Sequence, residues 1–168
     1  MMLEMDIESD EEWDSSTDWP LLVRKAAEAA VAESAFPQLA ESGRAVEVSV
    51  RLSSDEDVRA LNAHWRGKDK PTNVLSFPMS EQYELEQADE DGPELMLGDI
   101  VLARGVCERE AAEKEIPFER HASHLLVHGT LHLLGYDHGD DRDAADMESR
   151  EVRALARIGI DDPYLVIE

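Results

Sequence analysis

The chain has 168 residues, of which 42% are hydrophobic, and its one cysteine excludes an internal disulfide and a cysteine-based zinc knuckle. This length predicts one domain over residues 1–168, with a hydrophobic core and no room for a second domain. No apolar run is long enough to cross a bilayer, and the first residues lack the basic and apolar regions of a signal peptide, so we expect a cytoplasmic protein with no membrane partner.

Acidic residues dominate the charge, and the formal net charge is -23 at pH 7. A uniformly acidic surface repels the phosphate backbone of nucleic acids, so composition alone argues against RNA or DNA as a partner. Much of the acid is concentrated, however, and we predict that residues 9–18 and 79–93 are acidic surface segments. One basic island interrupts this pattern, at Arg59, Arg66, Lys68 and Lys70.

Strand and helix patterns alternate in the first half of the chain. Apolar and acidic residues alternate over residues 3–7, which predicts a strand, and an acidic link follows. Apolar residues at helical spacing then predict a helix over residues 20–35. Strict alternation predicts a second strand over 46–52, and Ser53-Ser54-Asp55-Glu56 carries a capping-box pattern for a short helix.

The second half adds two strands and three helices. The strands are predicted at 74–77 and 95–103, with the acidic segment as a surface loop between them, and the helices at about 105–115, 117–134 and 141–158. The sequence therefore predicts an α+β fold with one four-stranded mixed sheet packed by about five helices. Periodicity does not give the strand order.

The helix predicted at 117–134 is apolar on much of its circumference, which places it centrally, and it carries a cluster of histidines. His128 and His132 are one helical turn apart on the same face. Gly135 can adopt the left-handed conformation that ends a helix, which lets the chain turn back and bring His138 to the other two rings. Three imidazoles on one ion leave a fourth position open, as catalytic zinc sites do. We therefore predict a metal site at His128, His132 and His138.

A single histidine in a helix is more often a packing or surface residue than a ligand, and this alternative applies fully to His121 and His124. Both lie upstream on nearly the same face, so either one can also orient a ligand from behind. The spacing of the other three matches the metzincin-like zinc-protease pattern H-E-x-x-H-x-x-G-x-x-H, except that Gly129 replaces the glutamate that acts as general base in peptide hydrolysis.

A second group of residues lies in the basic island. Gly67 permits a tight turn, Arg66 offers a planar fork suited to a phosphate, and Lys68 and Lys70 add point charges. Taken alone, such a loop is more often a solvated surface, and Trp65 is more often a core residue than a platform for a stacked base.

These residues together resemble the YbeY family of bacterial endoribonucleases. The resemblance spans about residues 46–164 and rests on motifs in matching order and spacing, namely Arg66-Gly67-Lys68-Asp69, Pro71-Thr72-Asn73-Val74-Leu75-Ser76-Phe77-Pro78, Gly98-Asp99-Ile100, the histidines from His124 to His138, and Asp162-Pro163-Tyr164.

The resemblance implies a metal-dependent hydrolase of single-stranded RNA that acts on the 3′ end of 16S ribosomal RNA and in quality control of defective ribosomes. By position, His128, His132 and His138 match the metal ligands of the family, usually taken to hold zinc, and Arg66 matches a functionally important arginine. His124 falls within the extended histidine motif. We expect Arg66 and His124 to serve the reaction, with Asp99 a further candidate for proton transfer and a structural role also open to it.

The sequence leaves more than one possibility for the identity of the metal, for the partners and for the activity. Imidazole ligands also suit nickel or another divalent transition metal. The acidic charge suggests that basic ribosomal proteins help the chain to reach ribosomal RNA. A noncatalytic ribosome-assembly factor with a stabilising metal remains an alternative function, and a metallopeptidase is a weaker one because it needs another general base.

Overall fold

The computed structural model describes residues 3–10, 13, 16–40, 45–87 and 92–164. The elements in chain order are β1 (Glu4–Ser9), α1 (Trp19–Ala32), a 3-10 helix (Pro37–Ala40), β2 (Val46–Ser53), α2 (Asp55–Arg66), β3 (Val74–Pro78), α3 (Gln82–Glu86), β4 (Leu95–Ala103), α4 (Arg104–Lys114), α5 (Phe118–Leu133) and α6 (Asp141–Arg157). All predicted strands and helices are present. The 3-10 helix and α3 were not predicted.

The four strands form one mixed sheet in the order β1-β2-β4-β3. β1, β2 and β4 run parallel, and β3 pairs with β4 in the antiparallel direction at the edge of the sheet. The predicted α+β class and the four-stranded mixed sheet are therefore confirmed. The strand order also shows that β3, which follows the basic island, lies at the edge of the sheet.

The histidine-bearing helix α5 crosses β3 and β4 and also contacts α1, α4 and α6, which confirms its central position. Two glycines allow this close packing. A Cβ at Gly98 would lie 2.9 Å from Cδ2 of Leu133 on α5, and a Cβ at Gly129 would lie 3.1 Å from Cγ2 of Ile100. The position that holds a glutamate in zinc proteases is therefore pressed against the sheet in this protein.

Helix α2 covers part of the opposite face of the sheet. Its N-terminus is capped by Ser54, whose hydroxyl accepts a hydrogen bond of 3.2 Å from the backbone amide of Asp57. Its apolar side joins a second, smaller core cluster made of Val58, Leu75, Val101 and Ala103. Because α2 ends at Arg66, the basic island continues from the end of this helix toward the edge strand.

Each acidic segment inserts an apolar residue into the core, which acidic composition alone did not predict. Trp13 is 5% exposed and packs against Trp19 and Phe118, and its Nε1 donates a 2.9 Å hydrogen bond to the carbonyl of Ser53. In the second segment, the expected loop contains α3, where Leu85 is buried. Residues 11–12, 14–15 and 88–91 of these segments lie outside the described residues.

Over the described ranges, no helix combines the length and the apolar composition that a membrane span requires.

Candidate metal centre

The three predicted ligands converge at the C-terminal end of α5. The backbone amides of Gly135 and Tyr136 donate to the carbonyls of His132 and Leu131, at 3.0 and 3.1 Å, and Gly135 adopts a φ of +96°. This left-handed glycine ends the helix and reverses the chain, as the sequence predicted. His138 thereby returns to the helix, and its ring stacks on that of His128 with centroids 4.8 Å apart.

The three histidines lie close enough together to be candidate ligands of one metal ion. The Nε2 atoms of His128 and His132 lie 3.0 Å apart, and candidate ligand atoms of His128, His132 and His138 all lie within 4.8 Å of one another. Ligands about 2.05 Å from a tetrahedral zinc ion would be separated by roughly 3.4 Å. Three imidazoles at these separations are a donor set suited to zinc and to other divalent transition metals.

The protonation state of the cluster also suits a metal. Burial, followed by electrostatic interaction with His128 and His138, lowers the pKa of His132 to about 4. His132 is therefore neutral at physiological pH and can offer a lone pair to a metal ion without first losing a proton.

Behind the cluster lies Glu151 of α6, a fully buried carboxylate that sequence analysis did not identify. Its Oε1 lies 2.7 Å from Nε2 of His124 and 3.3 Å from Nδ1 of His128, and it accepts a 2.8 Å hydrogen bond from the hydroxyl of Tyr164. Burial alone would raise the pKa of Glu151, but hydrogen bonds from His124 and His128 outweigh it and lower the pKa to about 2. Glu151 is therefore charged and accepts hydrogen bonds only.

This carboxylate determines the tautomer of His128. Since Glu151 can only accept, Nδ1 of His128 carries the proton and Nε2 presents its lone pair to the cluster. Glu151 belongs to no local motif, but its place in the helical pattern of α6 is unusual for a charged residue. It lies on the buried stripe of α6 with Met147, Ala154 and Leu155, where a charged residue is unusual.

The two upstream histidines have different partners. His124 is buried and contacts Glu151, so it lies behind the cluster and does not line the cleft described below. Nε2 of His121 lies 2.8 Å from Glu110, which also accepts a 3.0 Å hydrogen bond from the side chain of Asn73. His121 therefore connects α5 with the residue before β3.

The histidine cluster opens into a cleft of about 680 Å³. Its lining includes His128, His132 and His138 together with Arg66, and Arg66 is the one lysine or arginine among the lining residues. The structure thus brings together the predicted metal ligands and the predicted arginine, which lie more than sixty positions apart in the chain.

The loop that carries Arg66 is held in a defined shape. Gly67 ends α2 with a φ of +69°, and the side-chain amide of the buried Asn62 donates 2.8 Å to the carbonyl of Lys70. Arg59 forms two hydrogen bonds with the carboxylate of Asp69, at 2.8 and 3.1 Å. Arg59 of the basic island therefore supports the loop, and Arg66 at the start of the loop lines the cleft.

Asp99 does not line the histidine cleft, which leaves it the structural role that the sequence also allowed, and Trp65 is not a core residue. Asp99, a candidate for proton transfer, lines a separate groove next to α2 and not the histidine cleft, because side chains alternate along β4 and its neighbours Gly98 and Ile100 face α5. Trp65, expected in the core, is 65% exposed. The carboxylate that does line the cleft is Asp137.

Comparison with known proteins agrees with the motifs. A family model described as Endoribonuclease YbeY matches residues 6–159. The chain belongs to the YbeY family. An endoribonuclease YbeY from Rhizorhabdus wittichii is 51% identical over 168 residues, which cover 99% of each chain. Another from Novosphingobium aromaticivorans is 52% identical over 167 residues, covering 98% of this chain and 96% of the relative.

A solved structure shows the same fold. The solution structure of a Thermotoga maritima protein aligns with a TM-score of 0.54 and 24% identity, covering 92% of this chain and 91% of the other. At this identity the likeness extends to the architecture alone. The assignment to the YbeY family therefore rests on the sequence comparisons and the motifs.

Proposed function

We propose that the protein is a single-strand-specific, metal-dependent endoribonuclease that matures the 3′ end of 16S ribosomal RNA and acts in late ribosome quality control. The name shared by the relatives supports internal cleavage of RNA. The observation that carries the proposal is the shared cleft, because three imidazoles and Arg66 border the same space. The resemblance to the YbeY family supports the ribosomal substrate and a cytoplasmic location.

In this proposal, His128, His132 and His138 hold one divalent ion, with zinc the first candidate and nickel also suited to the imidazole set. When bound, such an ion supplies a Lewis acid at the cleft, which lowers the pKa of a coordinated water and polarises a phosphoryl oxygen. Glu151 keeps His128 in the tautomer that can bind.

The other residues act on the RNA or on the ligands. Arg66 binds the scissile phosphate with its guanidinium fork and offsets the charge that builds up on it. His124 was expected to be catalytic, but its position behind the cluster supports a positioning role through Glu151. Asp137 takes the place of Asp99 as the carboxylate available for proton transfer in the cleft. The nucleophile is a water molecule or the 2′-hydroxyl of the RNA.

The proposal also addresses the charge of -23. The basic island gives RNA one local point of attachment, while acidic surface elsewhere favours contact with basic ribosomal proteins. We therefore propose the ribosome or its proteins as partners that deliver the RNA.

The metallopeptidase alternative is disfavoured by packing. A Cβ at position 129 would lie 3.1 Å from Cγ2 of Ile100, so a glutamate there requires Ile100 to shift, and this chain has a glycine where the protease pattern has its general base. The assembly-factor alternative makes a different prediction about Arg66, since a structural metal does not need an arginine in the cleft.

The experiment is cleavage of a single-stranded ribosomal precursor by the wild type and by Arg66→Ala, each with its metal content measured. We expect Arg66→Ala to keep its metal and to lose most of its activity, about 100-fold or more. Lys25→Ala, which removes an exposed positive charge from α1, is the control and should cleave normally. Full activity of a metal-loaded Arg66→Ala would contradict the proposed role, and equal RNA cleavage by a metal-free protein would contradict the proposed function.

A further inference from the structure

Trp65 differs from the other two tryptophans of the chain. Trp13 and Trp19 are 5% and 4% exposed and belong to the core, whereas Trp65 is 65% exposed at the end of α2. Leaving a large aromatic side chain in water gives up the free energy that its burial would provide. The exposed indole therefore offers a flat apolar surface that a ligand can contact.

Trp65 lies between two concave surfaces. It lines the histidine cleft, and it also lines the groove that contains Asp99, which has a volume of about 450 Å³. Phe77 of the edge strand β3 lines both as well, with its ring centroid 6.4 Å from that of Trp65. The two aromatic residues therefore border a path that leads from the candidate metal centre around the edge of the sheet.

The segment that follows Trp65 is positively charged, against the trend of the chain, whereas the groove on its other side contains Asp6, Glu8 and Asp99. Arg66, Lys68 and Lys70 are exposed, and within the described ranges none of them has a carboxylate within ion-pair distance. Asp69, which lies among them, is neutralised by Arg59. An aromatic ring beside unpaired cations is the combination that binds single-stranded nucleic acid, through base stacking and phosphate contacts.

We propose that Trp65 is a stacking platform for one base of single-stranded RNA, adjacent to the phosphate that enters the histidine cleft. This inference rests on the proposed endoribonuclease function and adds a positioning residue to it. Since Arg66 follows directly in the chain, it binds the neighbouring phosphate while Trp65 holds the base.

The arrangement accounts for a preference for single-stranded RNA. A base can stack on Trp65 only after it has been unstacked from the neighbouring bases, and in a duplex this unstacking costs additional free energy. It also implies tolerance of sequence, because every base offers a flat face to the indole.

The test uses the fluorescence of the metal-loaded protein. Because Trp13 and Trp19 are buried, quenching of tryptophan emission on titration with a single-stranded 2′-O-methyl octaribonucleotide reports chiefly on Trp65. We expect quenching in the wild type and little in Trp65→Phe, although Trp65→Phe should bind the labelled oligonucleotide within about twofold of the wild type because it keeps an aromatic face.

Trp65→Leu keeps apolar bulk but removes the ring. We expect it to bind at least about fivefold more weakly and to raise KM for cleavage of single-stranded RNA more than it lowers kcat. Tyr83→Leu makes the same kind of change at an exposed aromatic side chain that lines neither the cleft nor the groove, and it should bind the oligonucleotide like the wild type. A Trp65→Leu protein with wild-type affinity and KM would overturn the stacking proposal, and that result would instead favour a protein partner at this site.

The two proposals fail in distinguishable ways. If wild-type protein cleaves single-stranded RNA and Trp65→Leu does so with unchanged parameters, the stacking proposal alone is wrong. If the wild type neither binds nor cleaves RNA, both proposals are wrong. Equal quenching by a duplex of the same sequence would also overturn the stacking proposal.

Discussion

The carboxylate of Glu151 lies 3.3 Å from Nδ1 of His128, so a buried charge on α6 selects the nitrogen that a candidate ligand on α5 presents to the cleft. The same oxygen is 2.7 Å from His124 and 2.8 Å from the hydroxyl of Tyr164. These contacts fix its position from three directions. The histidine cluster is thus supported by residues from two helices and from the C-terminal segment.

We predict that Glu151→Gln weakens zinc binding by about 10- to 100-fold, because a neutral amide replaces the charged carboxylate that accepts the hydrogen bond from Nδ1 of His128. The measurement is zinc affinity by competition with a chelator, on protein whose folding is checked by circular dichroism. Glu113→Gln, the same change at an exposed glutamate of α4, is the control and should bind zinc normally. Unchanged affinity in Glu151→Gln would contradict the supporting role.

The sequence predicted the histidine site well because its information is local. The spacing of His128 and His132 on one helix and the break at Gly135 determine most of the geometry within eleven residues. Arg66 reaches the same cleft only because β3 is an edge strand beside α5, and that order depends on pairing between distant segments. From the sequence, only the family resemblance connected Arg66 with the function of the three histidines.

Residues whose roles depend on packing between helices were harder to predict. Glu151 is one of many acidic residues, and its importance depends on how α6 meets α5. Trp13 and Leu85 lie in acidic segments, so composition concealed the apolar residues that anchor these segments to the core. For Trp65 the opposite happened: the sequence favoured a buried residue, because aromatic side chains are usually buried, and the structure shows it exposed.

A second prediction concerns Gly129. We expect Gly129→Glu to lower the melting temperature by several degrees, since a side chain at this position meets Ile100 and overpacking of this kind costs about 1–3 kcal/mol. Gly139→Glu places the same side chain where its Cβ would have an ordinary contact of 3.9 Å with the carboxylate of Asp137, and it serves as the control. Equal melting temperatures for the two variants would show that α5 does not need glycine here. We also expect no peptidase activity in Gly129→Glu.

A third prediction concerns the contact between α1 and α6. Glu33, just after α1, pairs with Arg157 and, at 3.0 Å, with Arg153, while Arg150 donates 2.8 Å to its carbonyl oxygen. The hydrogen bond from Arg157 is the main cause of a lowered pKa at Glu33. Because the folded pKa lies below the unfolded one, this stabilisation is complete above the unfolded value and is lost as the pH falls through the folded value.

Glu33→Gln should therefore destabilise the protein by about 1 kcal/mol or less at pH 7, with the difference from the wild type disappearing in strong acid. Urea unfolding at a series of pH values measures this difference. Glu28→Gln, which removes a glutamate from the same helix, is the control for loss of a negative charge alone. A difference between Glu33→Gln and the wild type that increased toward low pH would have the wrong sign and would contradict the assignment.

The central claim is tested most directly by measuring bound zinc and RNA cleavage together in His132→Ala, with Lys25→Ala as the control because Lys25 is exposed on α1 and outside the cluster. We predict about one zinc ion per chain in the wild type and in Lys25→Ala, with single-stranded RNA cleaved by both. His132→Ala should retain its fold, bind zinc far more weakly and lose cleavage. Cleavage at the wild-type rate by a folded, zinc-free His132→Ala would contradict the proposal that the three histidines form the catalytic metal site.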